Sequence, residues 1–197
     1  MIATLFAEIV KFLYQGGFVM GPLVISTFVL WYALGYRLSV LRRGNRRSVR
    51  VMLEKYRDGY AREPGGIVDT AVVRGLDIFN GQERFMRRFL DDVFTEFTDE
   101  IDRYAVLVRS IVILAPLLGL LGTVSGMIEM FDALPESAFY AQSGGIAGGI
   151  SKALFTTQMG LAVAVPGMVV GRILEKRQSM IARELDQVKD ILTQWNR

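Results

Sequence analysis

The sequence predicts an all-α protein that crosses a membrane three times. Three uncharged apolar runs, residues 12–36, 110–128 and 153–171, each approach the roughly 20 residues a helix needs to cross a hydrocarbon core of about 30 Å. Hydrophobic residues make up 51% of the chain, and a soluble domain would spread them by amphipathic periodicity instead of gathering them into runs. The basic residues are skewed. Of 23 Lys and Arg, 15 lie between Arg37 and Arg109 and six more from Arg172 onward. Such an excess marks cytoplasmic segments, so 37–109 and the C-terminus are expected in the cytoplasm, with the N-terminus and the 132–149 loop on the other side.

Residues 1–11 form a short amphipathic lead. The first span, 12–36, is too long for a cleavable signal peptide, and its basic cluster follows it. Gly16-Gly17 and Gly21-Pro22 are expected to break or kink its outer end. The 37–109 region opens on Arg42, Arg43, Arg46, Arg47 and Arg50, which fix topology and can also meet anionic lipid headgroups. A helix over 48–62 is stopped by Pro64-Gly65-Gly66, and a second over 68–79 by Asn80-Gly81. One uninterrupted helix is expected over 82–131. Phe85, Phe89, Val93, Phe97, Ile101, Tyr104 and Val108 form the stripe of its first half, and the second span, 110–131, forms its second half. Fifty residues amount to roughly 75 Å, so half of it must project into the cytoplasm. Pro116 should bend it modestly.

The loop 132–149 is short and rich in Gly, Ser and Ala, hence flexible and too small for an outer domain. The third span, 150–173, continues into a C-terminal helix, 174–197. There Leu174, Ile181, Leu185, Val188, Leu192 and Trp195 repeat at spacings of 7, 4, 3, 4 and 3. The two cytoplasmic stripes are expected to pack together, within one chain or between chains.

With no Cys and no His, the chain lacks disulfides, thiolate chemistry, Cys/His metal sites and His-based catalysis. No catalytic residue, metal or cofactor is expected, and no nucleic-acid partner. Gly122-Thr-Val-Ser-Gly126 and Gly167-Met-Val-Val-Gly171 are small-xxx-small patterns that let membrane helices approach closely. Thr123, Thr156 and Thr157 place hydroxyls within the spans. Thr123 and Thr157 match in depth to within a helical turn or so. They either hold a water and meet a partner's carboxyl, or back-bond to carbonyls of their own helices. Glu129 and Lys152 sit near the outer edge, where they can pair, act as ordinary interfacial residues or flank a pore mouth. No acid or base lies at mid-depth, so a proton path would need a carboxylate from another chain.

Pro116-Leu-Leu-Gly-Leu-Leu-Gly-Thr-Val-Ser-Gly126 and Gly149-Ile-Ser-Lys-Ala-Leu-Phe-Thr-Thr-Gln-Met-Gly-Leu-Ala-Val-Ala-Val-Pro166 resemble the paired motifs of the MotA/TolQ/ExbB proton-channel family. Chain length and the short outer loop place the resemblance nearer ExbB and TolQ than MotA. The resemblance implies a multi-pass protein of the bacterial inner membrane, with its N-terminus periplasmic and its C-terminus cytoplasmic. It implies a pentamer around a central pore that holds single-span ExbD/TolR-like helices, whose Asp carries the proton. By motif match, Thr123 and Thr157 line that pore, and Gly119, Gly122, Gly126, Gly160, Pro166, Gly167 and Gly171 serve helix packing. Proton flow would move the inner helices and work a TonB-like protein in outer-membrane uptake, or a TolA-like one in envelope integrity and division. A non-conducting membrane scaffold is the reading outside that class. Lys152 departs from the family pattern, which often has Glu there, and inverts a charge near the proposed pore mouth.

Overall fold

The computed structural model describes residues 16–44, 48–57, 64–81, 86–132 and 144–195. Among these, every regular element is helical. A 3₁₀ turn, Gly17–Val19, leads into α1 (Met20–Val40). Then come α2 (Val49–Arg57), α3 (Ile67–Gly81), α4 (Met86–Asp102), α5 (Ala105–Asp132) and α6 (Gly144–Trp195). Among the described residues, three stretches are long and apolar enough to cross a membrane: Gly17–Val40, Leu90–Asp132 and Ala147–Trp195. The 1–11 lead lies outside the described residues.

The chain divides into two compact units, the first drawn from Met1–Ala33 and Leu107–Val170, the second from Leu34–Val106 and Gly171–Arg197. In the first, α1 buries Leu23, Leu30 and Ala33, α5 buries Val108, Ile111, Val112 and Ala115, and α6 buries Ala153, Val163 and Ala164. All three helices meet at Gly167, where an added Cβ would stand 2.8 Å from Leu30 Cδ2 and 3.0 Å from Val112 Cγ2. The opposite face of α5 leaves Ile113, Leu117, Leu120, Val124 and Ile128 exposed. An apolar outer face is stable in lipid, and the small residues face inward because association there rests on close packing.

The helix start agrees with expectation at one glycine pair and departs from it at the other. The irregular backbone falls at Gly16 and Gly17, the latter at φ 62, and α1 is helical from Met20. Gly21 and Pro22 therefore sit in the first turn, where a missing N–H leaves no bond unmade, and they do not break the helix. At the other end of the unit, Gly144–Gly149 belong to α6 instead of a loop, and 133–143 fall outside the described residues. The reason is packing: a Cβ on Gly149 would lie 2.8 Å from both Gly126 O and Met130 Cβ.

In the second unit α6 buries Leu174, Ile181, Leu185, Val188 and Leu192, each at 2% exposure or less. The facing stripe of α4 is Leu90, Phe94, Phe97 and Ile101. Phe97 and Ile101 fall where the expected stripe puts them; upstream, Phe94 is buried in place of Val93, which is half-exposed, and the side chains of Phe85 and Phe89 lie outside the described set. The expected continuous helix over 82–131 is also interrupted. Tyr104 adopts φ 61, and the Arg103 N–H donates to Glu100 O at 3.4 Å, an i−3 bond. Tyr104 packs edge-on against Tyr36 (5.1 Å, 88°), and the Arg103 guanidinium lies 5.8 and 5.5 Å from the Tyr36 and Tyr104 ring centres. These contacts hold a left-handed conformation that a bulky residue otherwise avoids.

The same unit carries a polar network. Buried Arg37 donates to Gln178 Oε1, and Gln178 Nε2 donates to Asp102 Oδ1. Buried Asp69 accepts the Gly65 N–H at 3.1 Å, while the Ile67 N–H donates to Arg42 O at 3.0 Å. The segments 42–44 and 64–67 thereby lie backbone to backbone. Gly44 permits this with φ 91, where a Cβ would lie 2.9 Å from Gly66 N.

Candidate functional site

The site is built on the seam between α5 and α6 in the first unit. A Cβ on Gly119 would fall 3.1 Å from Thr156 O and Thr157 Cα, and one on Gly160 would fall 2.7 Å from Ala115 O. One on Gly126 would fall 2.8 Å from Gly149 O and 2.9 Å from Ala153 N, and one on Gly122 would overlap the Thr156 side chain. As the α5 number rises, the α6 number falls, so the helices are antiparallel. At Gly119, Gly126 and Gly160 the backbones are close enough that any larger residue would meet main-chain atoms. Gly171 is buried as well, in the second unit, whereas Pro166 faces outward on α6.

That approach organises three hydroxyls along the seam. Thr156 is fully buried and lies 3.4 Å from Gly119 O, 3.2 Å from Lys152 O and 3.0 Å from Ala153 O. Thr157 Oγ1 lies 3.3 Å from Gly119 O on the neighbouring helix and 3.4 Å from Ala153 O on its own. Thr123 donates to Leu120 O at 2.6 Å. Back-bonding is thus present at all three, but two of the hydroxyls also reach across the seam.

Helix geometry puts Thr123 and Thr157 on a common flank. Each follows by one residue a buried seam position, Gly122 or Thr156. One residue is about 100° of rotation, and antiparallel helices wind in opposite senses seen from one end. A single step from the seam therefore leads to the same side on both. The contacts above set Thr123 opposite positions 154–155, so Thr157 differs from it in depth by roughly 4 Å at 1.5 Å per residue. Both are half-buried in the single chain. Lys152 Nζ pairs with Glu129 Oε1, and its stem crosses the face of Gly17, where a Cβ would collide with it.

Thr156, Gly149, Ala115 and Ala153 join the packing residues that sequence alone marks. A signal exists for three of them: 149, 153, 156 and 160 repeat at helical spacing and are all small. Among the described residues, no group of three acidic, His or Cys side chains is placed to hold a metal ion.

The family comparison takes in the same segment. Residues 65–187 match the model of the MotA/TolQ/ExbB proton channel family. The chain is 39% identical over 88 residues to a Synechocystis protein described as putative biopolymer transport protein ExbB-like 3, covering 43% of this chain and 42% of that one. It is 33% identical over 83 residues to the biopolymer transport protein exbB1 of Vibrio cholerae, covering 42% and 36%. The matches therefore span less than half the length of these relatives. The family match covers more than half of this chain and takes in the whole glycine seam with its threonines. The protein belongs to the MotA/TolQ/ExbB proton channel family, with relatives named ExbB.

Proposed function

We propose that this chain is the wall-forming subunit of a proton-driven energy transducer in the bacterial inner membrane. The carrying observation is the common flank: Thr123 and Thr157 lie on one side of the α5/α6 seam at nearly one depth, and the apolar runs around them contain no ionisable residue. A hydroxyl donates and accepts, so it can pass a hydrogen bond to a carboxyl, but it does not titrate in this range. The proton must then reside on an Asp supplied by a single-span ExbD/TolR-like partner. Five copies of this chain would enclose that partner, with the N-terminus periplasmic and the C-terminus cytoplasmic. Glu129 and Lys152 would flank the periplasmic mouth. Protonation and release at the Asp would move the inner helices and drive TonB-dependent uptake across the outer membrane. The names of the relatives favour this branch over a TolQ-like role in envelope integrity.

The test is proton flux into vesicles holding this chain together with an Asp-bearing single-span partner. Losing one hydroxyl hydrogen bond, about 1.4 kcal/mol, predicts roughly tenfold lower flux for Thr157→Val. Thr157→Ser should retain most of it. Wild-type flux in the Val variant would remove the threonine from the path. A stable monomer in mild detergent would remove the pentamer.

A further inference from the structure

We propose that the second unit holds a binding site for the phosphate of an anionic phospholipid. An open cavity of about 710 Å³ is lined by Arg42, Arg43, Arg177, Met180, Ile181 and Glu184, among others. Arg43 Nε donates to both Glu184 oxygens at 2.8 and 2.6 Å, so those two charges cancel. Arg42 and Arg177 are not buried, and among the described residues neither guanidinium has an ion-pair partner. Two arginines without an ion-pair partner among the described residues therefore line the cavity, and a guanidinium is a planar fork suited to phosphate oxygens. Its remaining wall is apolar: Met180 is 45% exposed beside the buried Ile181.

A charged mouth beside an apolar wall fits an amphiphile better than a small anion. The location agrees. Arg42 comes two residues after the end of α1, and Arg177 four residues after the exposed Ile173. Four residues of helix are roughly 6 Å, and the headgroup layer is about 5–8 Å deep. Clustered basic residues beside a span attract anionic lipid. The site does not depend on any ion path through the first unit.

The experiment measures thermal protection of the full chain in a neutral detergent by short-chain phosphatidylglycerol, phosphatidylcholine or inorganic phosphate. Phosphatidylglycerol should raise the midpoint, while phosphatidylcholine and phosphate should do little. Arg42→Gln with Arg177→Gln should weaken the lipid effect by about fivefold per arginine. The double Lys variant keeps the charge but not the fork and should keep only part of it, whereas Arg50→Gln, an exposed arginine outside the cavity, should keep most of it. Equal protection by phosphatidylcholine, equal protection by phosphate, or an Arg50→Gln loss as large as the double variant's would each overturn the proposal. Should the Gln pair fail to fold, single variants decide it: both binding like wild type overturns the site, and a loss in either supports it.

Discussion

Gly126 is the position where a single methyl group tests the seam. A Cβ there would lie 2.8 Å from Gly149 O, 2.9 Å from Ala153 N and 3.0 Å from Ala153 Cβ. Two of the three are main-chain atoms that cannot rotate aside, so α5 and α6 must part by roughly half an ångström to restore ordinary contact. Overpacking costs about 1–3 kcal/mol, and contacts with main-chain atoms place Gly126 in the upper part of that range, about 2–3. Alanine returns about 1 kcal/mol through helix propensity, leaving Gly126→Ala about 1–2 kcal/mol destabilised and Gly126→Val nearer 3. For a chain of this size that is a fall of roughly 2–8 °C for Ala in thermal unfolding. The assay is tryptophan fluorescence on the full chain in one mild detergent. Gly35 is the control, since a Cβ added there would meet nothing within 4 Å, and Gly35→Ala should be neutral or slightly stabilising. If Gly126→Ala melts at or above the wild type while Gly35→Ala is silent, the backbone approach is not as described.

Three further outcomes follow from other contacts. Glu184→Gln removes the negative charge of a partly exposed pair and should lower stability by about 1 kcal/mol or less, with most of the loss gone at high salt in a denaturation series. Lys152→Glu sets two carboxylates together, and adding Glu129→Lys should restore the melting temperature; an unrestored double variant would show that the Gly17 contact, not the charge, matters. Tyr104→Gly relieves the left-handed backbone but loses the ring packing, so its stability should stay within about 1 kcal/mol of wild type. Tyr104→Val keeps the backbone strain, loses the ring packing and should fall by about 2 kcal/mol in the same unfolding measurement.

The spans and the α6 stripe are legible because each is written in a single helix's own sequence. An uncharged run or a heptad declares itself without reference to a neighbour. The α4 stripe is legible at Phe97 and Ile101 but not upstream, because Val93 and Phe94 are apolar neighbours on two faces, and a choice between them needs the facing apolar row of α6, Leu185, Val188 and Leu192. The break at Arg103–Tyr104 has no Gly or Pro to announce it; it rests on Tyr36, 68 residues away in sequence, which supplies the second ring. Likewise Gly144–Gly149 read as a flexible loop because glycine signals both turns and close helix packing, and the partner Gly126 decides which. The packing role of Thr156 is hidden for the same reason: its notch is made by Gly122 on another helix.

The two flanking threonines are not equivalent, and their difference predicts an order of effects. Thr123 has one acceptor at 2.6 Å, within its own helix. Thr157 has two at nearly equal length, 3.3 and 3.4 Å, and Thr156 already lies against both of the same carbonyls. Swinging the Thr157 hydroxyl toward a partner's carboxyl therefore gives up only long contacts to carbonyls that have a second hydroxyl beside them, whereas turning Thr123 breaks a short bond worth about 1 kcal/mol. Thr157 is the hydroxyl poised to exchange partners. Flux, scaled to the amount of folded protein, should fall further in Thr157→Val than in Thr123→Val. Thr156→Val should instead cost about 1 kcal/mol of stability with flux per folded complex nearly kept, since Thr156 is sealed inside the seam. A larger loss at Thr123 than at Thr157, or a flux loss at Thr156 without lost stability, would contradict this assignment of roles.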